Sequence, residues 1–151
     1  MRKGVQKIYS EVSGTYELVN HVLTFGFDIL WRRSGAKRAA AKKGKKILDV
    51  CCGTGEMAQS LSHLVSENAE IYLTDFSFPM LDQARQRSYK PFTSFILADA
   101  KKLPYKDNTF DLITISFAIR NLNTRKDILI TFLEEFLRVL KSGGTFINVE
   151  T

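Results

Sequence analysis

Ile47-Leu48-Asp49-Val50-Cys51-Cys52-Gly53-Thr54-Gly55, running on into Glu56 to Leu64, is the stretch that decides the fold. Its first four residues are a short apolar run broken only by Asp49. Two glycines then bracket Thr54, and Met57, Leu61 and Leu64 recur at helical spacing. The order is strand, tight turn, helix. Gly53 and Gly55 let the backbone turn sharply and let a ligand approach it closely.

Outward from this unit the alternation repeats. Ile71 to Thr74 reads as a strand ending at Asp75, and Pro79 to Arg87 as a helix with Ser77 as its N-cap. Phe95 to Ala98 is a third strand, ending at Asp99, and Phe110 to Ala118 a fourth. Ile128 to Leu140 places apolar residues at Leu129, Leu133, Phe136, Leu137 and Leu140, one helical face. Gly143-Gly144 closes that helix and Thr145 to Val149 is a fifth strand. Strands alternating with helices imply right-handed crossovers, hence an α/β fold with a doubly wound, Rossmann-like parallel sheet. Before it, Val5 to Val12, Tyr16 to Leu23 and residues 27–43 read as helices, the last ending near Gly44. We therefore expect a helical N-terminal cover over 1–44 and an α/β core over 45–151, forming one folding unit.

The chain has 151 residues, 44% of them hydrophobic and 25% charged, with a formal net charge of +6. That length suits one domain with a real core, and the apolar content excludes disorder as the main state. No apolar run approaches the roughly 18 residues of a membrane-spanning helix, and the start is not that of a secretory signal. Cys51 and Cys52, the only cysteines, are adjacent and form neither a disulfide framework nor a zinc motif. No metal site is expected. A reducing cytoplasm fits this usage. The positive charge concentrates between Arg32 and Lys46, where eight basic residues occur without an acid. Such a run binds nucleic acid, an anionic membrane or an anionic ligand, or is simply a solvated helix face.

The chemistry centres on the glycine turn. In an open parallel sheet, ligands bind at the carboxyl ends of the strands. Asp75 stands at the next strand's end, where a carboxylate can accept hydrogen bonds from both ribose hydroxyls of an adenosine. Dinucleotide binding competes, but the G-x-G-x-x-G spacing is missing, and Asp49 would repel a pyrophosphate. No G-K-[ST] follows, which excludes a Walker loop. Asp49 suits a cation, and S-adenosylmethionine carries a sulfonium and an ammonium and no phosphate.

At this point the chain resembles the class I S-adenosylmethionine-dependent methyltransferases, and within them the ubiquinone/menaquinone biosynthesis C-methyltransferase family (UbiE/MenG type). Three segments carry the resemblance: Tyr16 to Gly26 with Trp31, Ile113 to Asn121, and Arg138 to Gly144 with Glu150. There are departures: Glu17, Val19, Asp28, Cys51 and Ser142 stand where the family pattern has Asp, Met, His, a small residue and Pro. Asp28 weighs against any catalytic role borrowed from the family's histidine, and Cys51 reads as a small buried residue.

The resemblance implies a sheet of order 3-2-1-4-5 and S-adenosylmethionine as cofactor. It implies contacts to that cofactor from Asp49, Gly53, Thr54 and Gly55 and from Asp75, with Phe76 and Met80 just past it. Asp99 and Ala100 flank the adenine, and Ser116 lies near the methionine part. The substrate implied is a lipophilic demethylquinol, methylated on a ring carbon. Arg120 is placed to hold a developing phenolate oxygen and Asn121 to orient it. His21, on the N-terminal cover, is a weaker candidate for the same pocket, as is Tyr16. Apolar residues from Val22 to Trp31, beside the basic run, suit a cytoplasmic enzyme that touches an anionic membrane peripherally without spanning it.

Two other readings stay open, the first being a methyltransferase that acts on nucleic acid or another small molecule. Base methylation of nucleic acid is disfavoured, because Ser116-Phe117-Ala118 stands where an Asp/Asn-Pro-Pro-aromatic motif would be, and both cysteines lie in the turn. A non-catalytic cofactor-binding fragment is the second. Class I methyltransferases usually continue past strand five with a helix and a β-hairpin. Ending at Thr151 would leave strand five as an apolar edge. The expectation is therefore a chain cut from a longer protein, or a homodimer that covers the edge.

Overall fold

The computed structural model describes residues 22–122 and 126–150. Val5 to Val12, Tyr16 and His21 fall outside the described residues. Helix α1 (Phe27–Ala40) is followed by β1 (Lys46–Val50), α2 (Glu56–Ser62), β2 (Glu70–Asp75), α3 (Phe78–Arg85) and β3 (Phe92–Leu97). Next come β4 (Phe110–Ser116), a single turn α4 (Ile119–Leu122), α5 (Lys126–Val139) and β5 (Leu140–Val149). All strand pairs are parallel, in the order β3-β2-β1-β4-β5, as expected.

The period-two geometry of the strands divides the core into two layers. Ile47, Ile71, Leu73 and Leu112 pack on one face, against Met57 and Leu61 of α2, Leu81 and Ala84 of α3, and Ala36 and Ala39 of α1. Leu48, Val50, Ile113 and Ile115 pack on the other, against Phe132, Phe136 and Val139 of α5. Ile47 and Leu48 are neighbours in sequence and lie on opposite sides of the sheet, both fully buried. The central strands are buried on both faces, hence the near-continuous apolar run of β4.

Three expectations need correction. Strand β3 begins at Phe92, three residues before Phe95. Helix α5 ends at Val139, not at the glycine pair, because Leu140 already pairs with Phe110. The next partner of β4 is Thr145, opposite Leu112, so the ladder shifts register around Gly143, whose φ is 76°. Ser77 stands at the N-cap of α3, but its hydroxyl makes no capping bond and is buried without a partner among the described residues. Arg138 bonds the carbonyls of Leu103 and Tyr105 and the carboxylates of Asp107 and Glu135, clamping the 103–107 loop onto α5.

Candidate functional site

The carboxyl ends of β1, β2 and β4 meet around one pocket. Its wall includes Cys51, Cys52, Gly53 and Thr54 from the first turn, Asp75, Phe76 and Met80 from β2 and α3, and Ser116, Phe117 and Asn121 from the end of β4 and α4. A crevice forms here because β1 leads to β2 on one side and pairs with β4 on the other, so the connections diverge.

The turn is built on left-handed residues. Cys51, Gly53 and Gly55 have φ of 53°, 53° and 82°. Gly53 has open space where a Cβ would point, so its backbone is bare toward the pocket. At Gly55 a Cβ would run into Tyr89 Oη and meet Ala84 Cβ at 3.0 Å, which only glycine avoids. Cys51 is a non-glycine residue in this strained region and is half-buried, not the simple buried filler the sequence suggested. Arg87 braces the turn from outside, donating from Nε to the Thr54 carbonyl at 2.6 Å and from Nη1 to Gln59 at 2.8 Å. Burial, reinforced by the charges of Asp75 and Asp49, pushes both cysteine thiols well above their ordinary range. Neither is an activated nucleophile.

Asp75 is nearly buried and lines the pocket. Its Oδ2 accepts the Gly53 amide hydrogen and its Oδ1 that of Ser77, each at 2.9 Å. Burial raises its pKa, and the amides of Ser77, Gly53 and Phe76 pull it back down. Asp49 is fully buried beneath the turn, outside the pocket wall. Thr114 donates to its Oδ1 at 2.7 Å, while Oδ2 is buried without a hydrogen-bond partner among the described residues. Burial raises its pKa to about 7 against the Thr114 bond, the nearby Ala58 backbone N–H and the charge of Arg32, with Asp75 adding repulsion.

The expected site residues separate into two groups. Gly53, Thr54, Asp75, Phe76, Met80, Ser116 and Asn121 come together in the pocket wall. Asp49, Gly55, Asp99, Ala100 and Arg120 are not part of that wall. Asp99 follows β3 and accepts the Lys101 amide hydrogen at 3.0 Å, while Ala100 packs into the second core layer. Arg120 is more than half exposed and pairs with Glu150 at 3.0 Å.

Arg32 is the residue sequence reasoning misplaced. It belongs to the basic run but is buried in the pocket wall, paired with Asp28 at 2.6 Å and Glu56 at 2.8 Å. The signal was present: Asp28 and Arg32 are four apart on one helix. Phe117 was missed too. Its ring lies 4.7 Å below the Arg32 guanidinium and 6.3 Å from Trp31, which stacks on Phe27. An aromatic path thus runs from the exposed surface of α1 to the pocket.

The sequence model of the ubiE/COQ5 methyltransferase family matches residues 1–151. A ubiquinone/menaquinone biosynthesis C-methyltransferase of Azotobacter vinelandii is 37% identical over 97% of this chain and 58% of its own length. A demethylmenaquinone methyltransferase of Anoxybacillus flavithermus is 36% identical over 97% of this chain and 62% of its own. The chain thus spans about six-tenths of the length of these curated relatives. Among solved structures, a SAM-dependent methyltransferase from Aquifex aeolicus is similar, with a TM-score of 0.56 and 30% identity over 64% of this chain and 51% of that one.

Proposed function

The chain belongs to the ubiE/COQ5 methyltransferase family, and from that premise we propose that its pocket binds S-adenosylmethionine and serves methyl transfer to a ring carbon of a lipophilic demethylquinol. The observation that carries the reading is Asp75. Each of its oxygens accepts one backbone N–H, which leaves acceptor capacity for the two ribose hydroxyls. The rest of the wall fits the same ligand. Bare backbone at Gly53 admits close approach. Asp49 Oδ2, without a hydrogen-bond partner among the described residues, sits below the turn, and once ionised the carboxylate attracts a sulfonium or an ammonium. Phe76 and Met80 offer apolar surface beside Asp75.

When bound, S-adenosylmethionine supplies the methyl group, taken by a ring carbon in an in-line displacement that needs alignment and a dry pocket. Ser116 and Asn121 supply polar groups at the end of β4. Arg120, one turn beyond, stabilises the substrate oxyanion by exchanging its half-buried partner Glu150 for it. Asp99, just past the end of β3, would accept a hydrogen bond from the adenine amine. The aromatic path of Phe27, Trp31 and Phe117 gives a greasy ring and tail a route to the pocket.

We place the protein in the cytoplasm, in peripheral contact with anionic membrane. No described helix is long and apolar enough to cross one. Leu23, Phe25 and Leu30 are exposed beside Arg33, Lys37 and Arg38, the mix that suits an interfacial surface. Among the described residues β5 is an edge strand; it is where a second copy would pair, and light scattering reports that association. The deciding experiment is methyl transfer from labelled S-adenosylmethionine to demethylmenaquinol and demethoxyubiquinol analogues, with tRNA as control. Label in the quinol supports the reading. Label in tRNA alone rejects the quinol and favours nucleic acid. Binding without turnover on any acceptor favours the second reading, a cofactor-binding piece.

A further inference from the structure

We propose that Arg32 is the anchor for the carboxylate of the ligand's amino-acid end, so that the cover helix α1 itself takes part in cofactor recognition. This rests on the S-adenosylmethionine reading of the pocket. Asp28 and Glu56 both approach the same nitrogen, Nη1, at 2.6 and 2.8 Å. The other N–H groups, on Nε and Nη2, donate no hydrogen bond to the described residues. Phe117 covers one face of the guanidinium. The Arg32 side chain is 7% exposed and lines the pocket. A buried guanidinium with one nitrogen held and its Nε–Nη2 edge unengaged presents the fork that takes a carboxylate in two parallel hydrogen bonds.

The charges around it select the ligand. Arg32 is the one cation in the pocket wall among the described residues, and Glu56 and Asp75 share that wall. Asp28 and Asp49 lie just behind. A phosphate would meet several carboxylates and one guanidinium. An α-amino acid end meets complementary partners: Arg32 for its carboxylate, and Glu56 for its ammonium. Position agrees. Arg32 and Glu56 enter from α1 and α2, whereas Asp75, Phe76 and Met80 enter from β2 and α3. A ribose at Asp75 therefore directs the amino-acid end toward Arg32. Because Arg32 also ties α1 to α2 through Glu56, a bound carboxylate fastens the cover onto the core.

The test is calorimetric titration with S-adenosylmethionine and with decarboxylated S-adenosylmethionine, which keeps the adenosine, sulfonium and ammonium. The natural chain should prefer the carboxylate-bearing ligand by about 10- to 100-fold. Arg32→Gln should erase that preference and leave affinity for the decarboxylated ligand unchanged. Arg32→Lys should restore part of it. Glu56→Gln, which leaves Arg32 in place and removes a competing acid, should keep or widen it. A natural chain that binds both ligands equally overturns the proposal. So does Arg32→Gln weakening both equally, which marks a structural role only. So does a Glu56→Gln variant that folds yet loses the preference. A natural chain that binds neither ligand instead defeats the S-adenosylmethionine reading itself.

Discussion

Asp75, the last residue of β2, accepts the Gly53 amide hydrogen through Oδ2 at 2.9 Å, so the acid assigned to a ribose also ties the glycine turn of β1 to the neighbouring strand. One carboxylate shapes the turn and faces the pocket. Substitution there acts on ligand and turn together.

Asp75→Ala should weaken S-adenosylmethionine binding by about 1–3 kcal/mol, the cost of losing charge-assisted hydrogen bonds. Asp75→Asn keeps one acceptor oxygen and should fall between. Calorimetric titration checks both, and unchanged affinity in the alanine variant removes Asp75 from the site.

Asp49 makes the protein sensitive to pH. Its pKa is about 7 in the folded chain against 3.8 when unfolded, so the folded state binds more protons between those values. Stability is then greatest below about pH 4 with respect to this group, and falls as pH rises through 7. Asp75, also raised, acts in the same direction. Asp49→Asn should flatten the slope and exceed the natural chain in stability at pH 8, by urea denaturation at pH 5 and 8. A cationic ligand favours the ionised acid, so S-adenosylmethionine affinity should rise from pH 6 to 8 and lose that dependence in the variant.

Arg120 and Glu150 separate a catalytic from a fastening role. Their ion pair is exposed on the arginine side, so breaking it should cost no more than about 1 kcal/mol in stability. Arg120→Ala should slow turnover on the order of 100-fold while sparing cofactor affinity. Glu150→Gln should leave turnover near normal. Equal losses in the two variants would assign the pair to loop fastening.

The basic run should bind anionic vesicles weakly. Arg32 is neutralised and Lys46 pairs with Glu70, but Arg33, Lys37, Arg38, Lys42, Lys43 and Lys45 are exposed. Sedimentation with vesicles should show binding at low salt and release at high salt. Lys37→Glu with Arg38→Glu should abolish it. No binding at low salt rejects the membrane contact, and tight tRNA binding in its place revives the nucleic-acid reading.

The parallel sheet and the place of the glycine turn were legible in the chain because they rest on short-range patterns. Apolar runs such as Ile113 to Ile115 bury on both faces, and a turn such as Cys52 to Gly55 needs glycine for local steric reasons. Edges were less legible. Strand β3 pairs on one side only, and its start at Phe92-Thr93-Ser94 is partly exposed, so no apolar run marks where it begins. Leu140 continues the helical spacing of α5 yet pairs with Phe110, a choice made by a partner 30 residues away. The site divides in the same way. Gly53, Thr54 and Asp75 follow from strand-end position, which the chain order dictates. Arg32 does not, because local sequence sees a cation in a basic run, whereas its burial comes from α1 lying against α2 and from Glu56 and Phe117 closing around it. Charge is written residue by residue; whether it meets water, an acid or a ligand is decided only when distant segments pack.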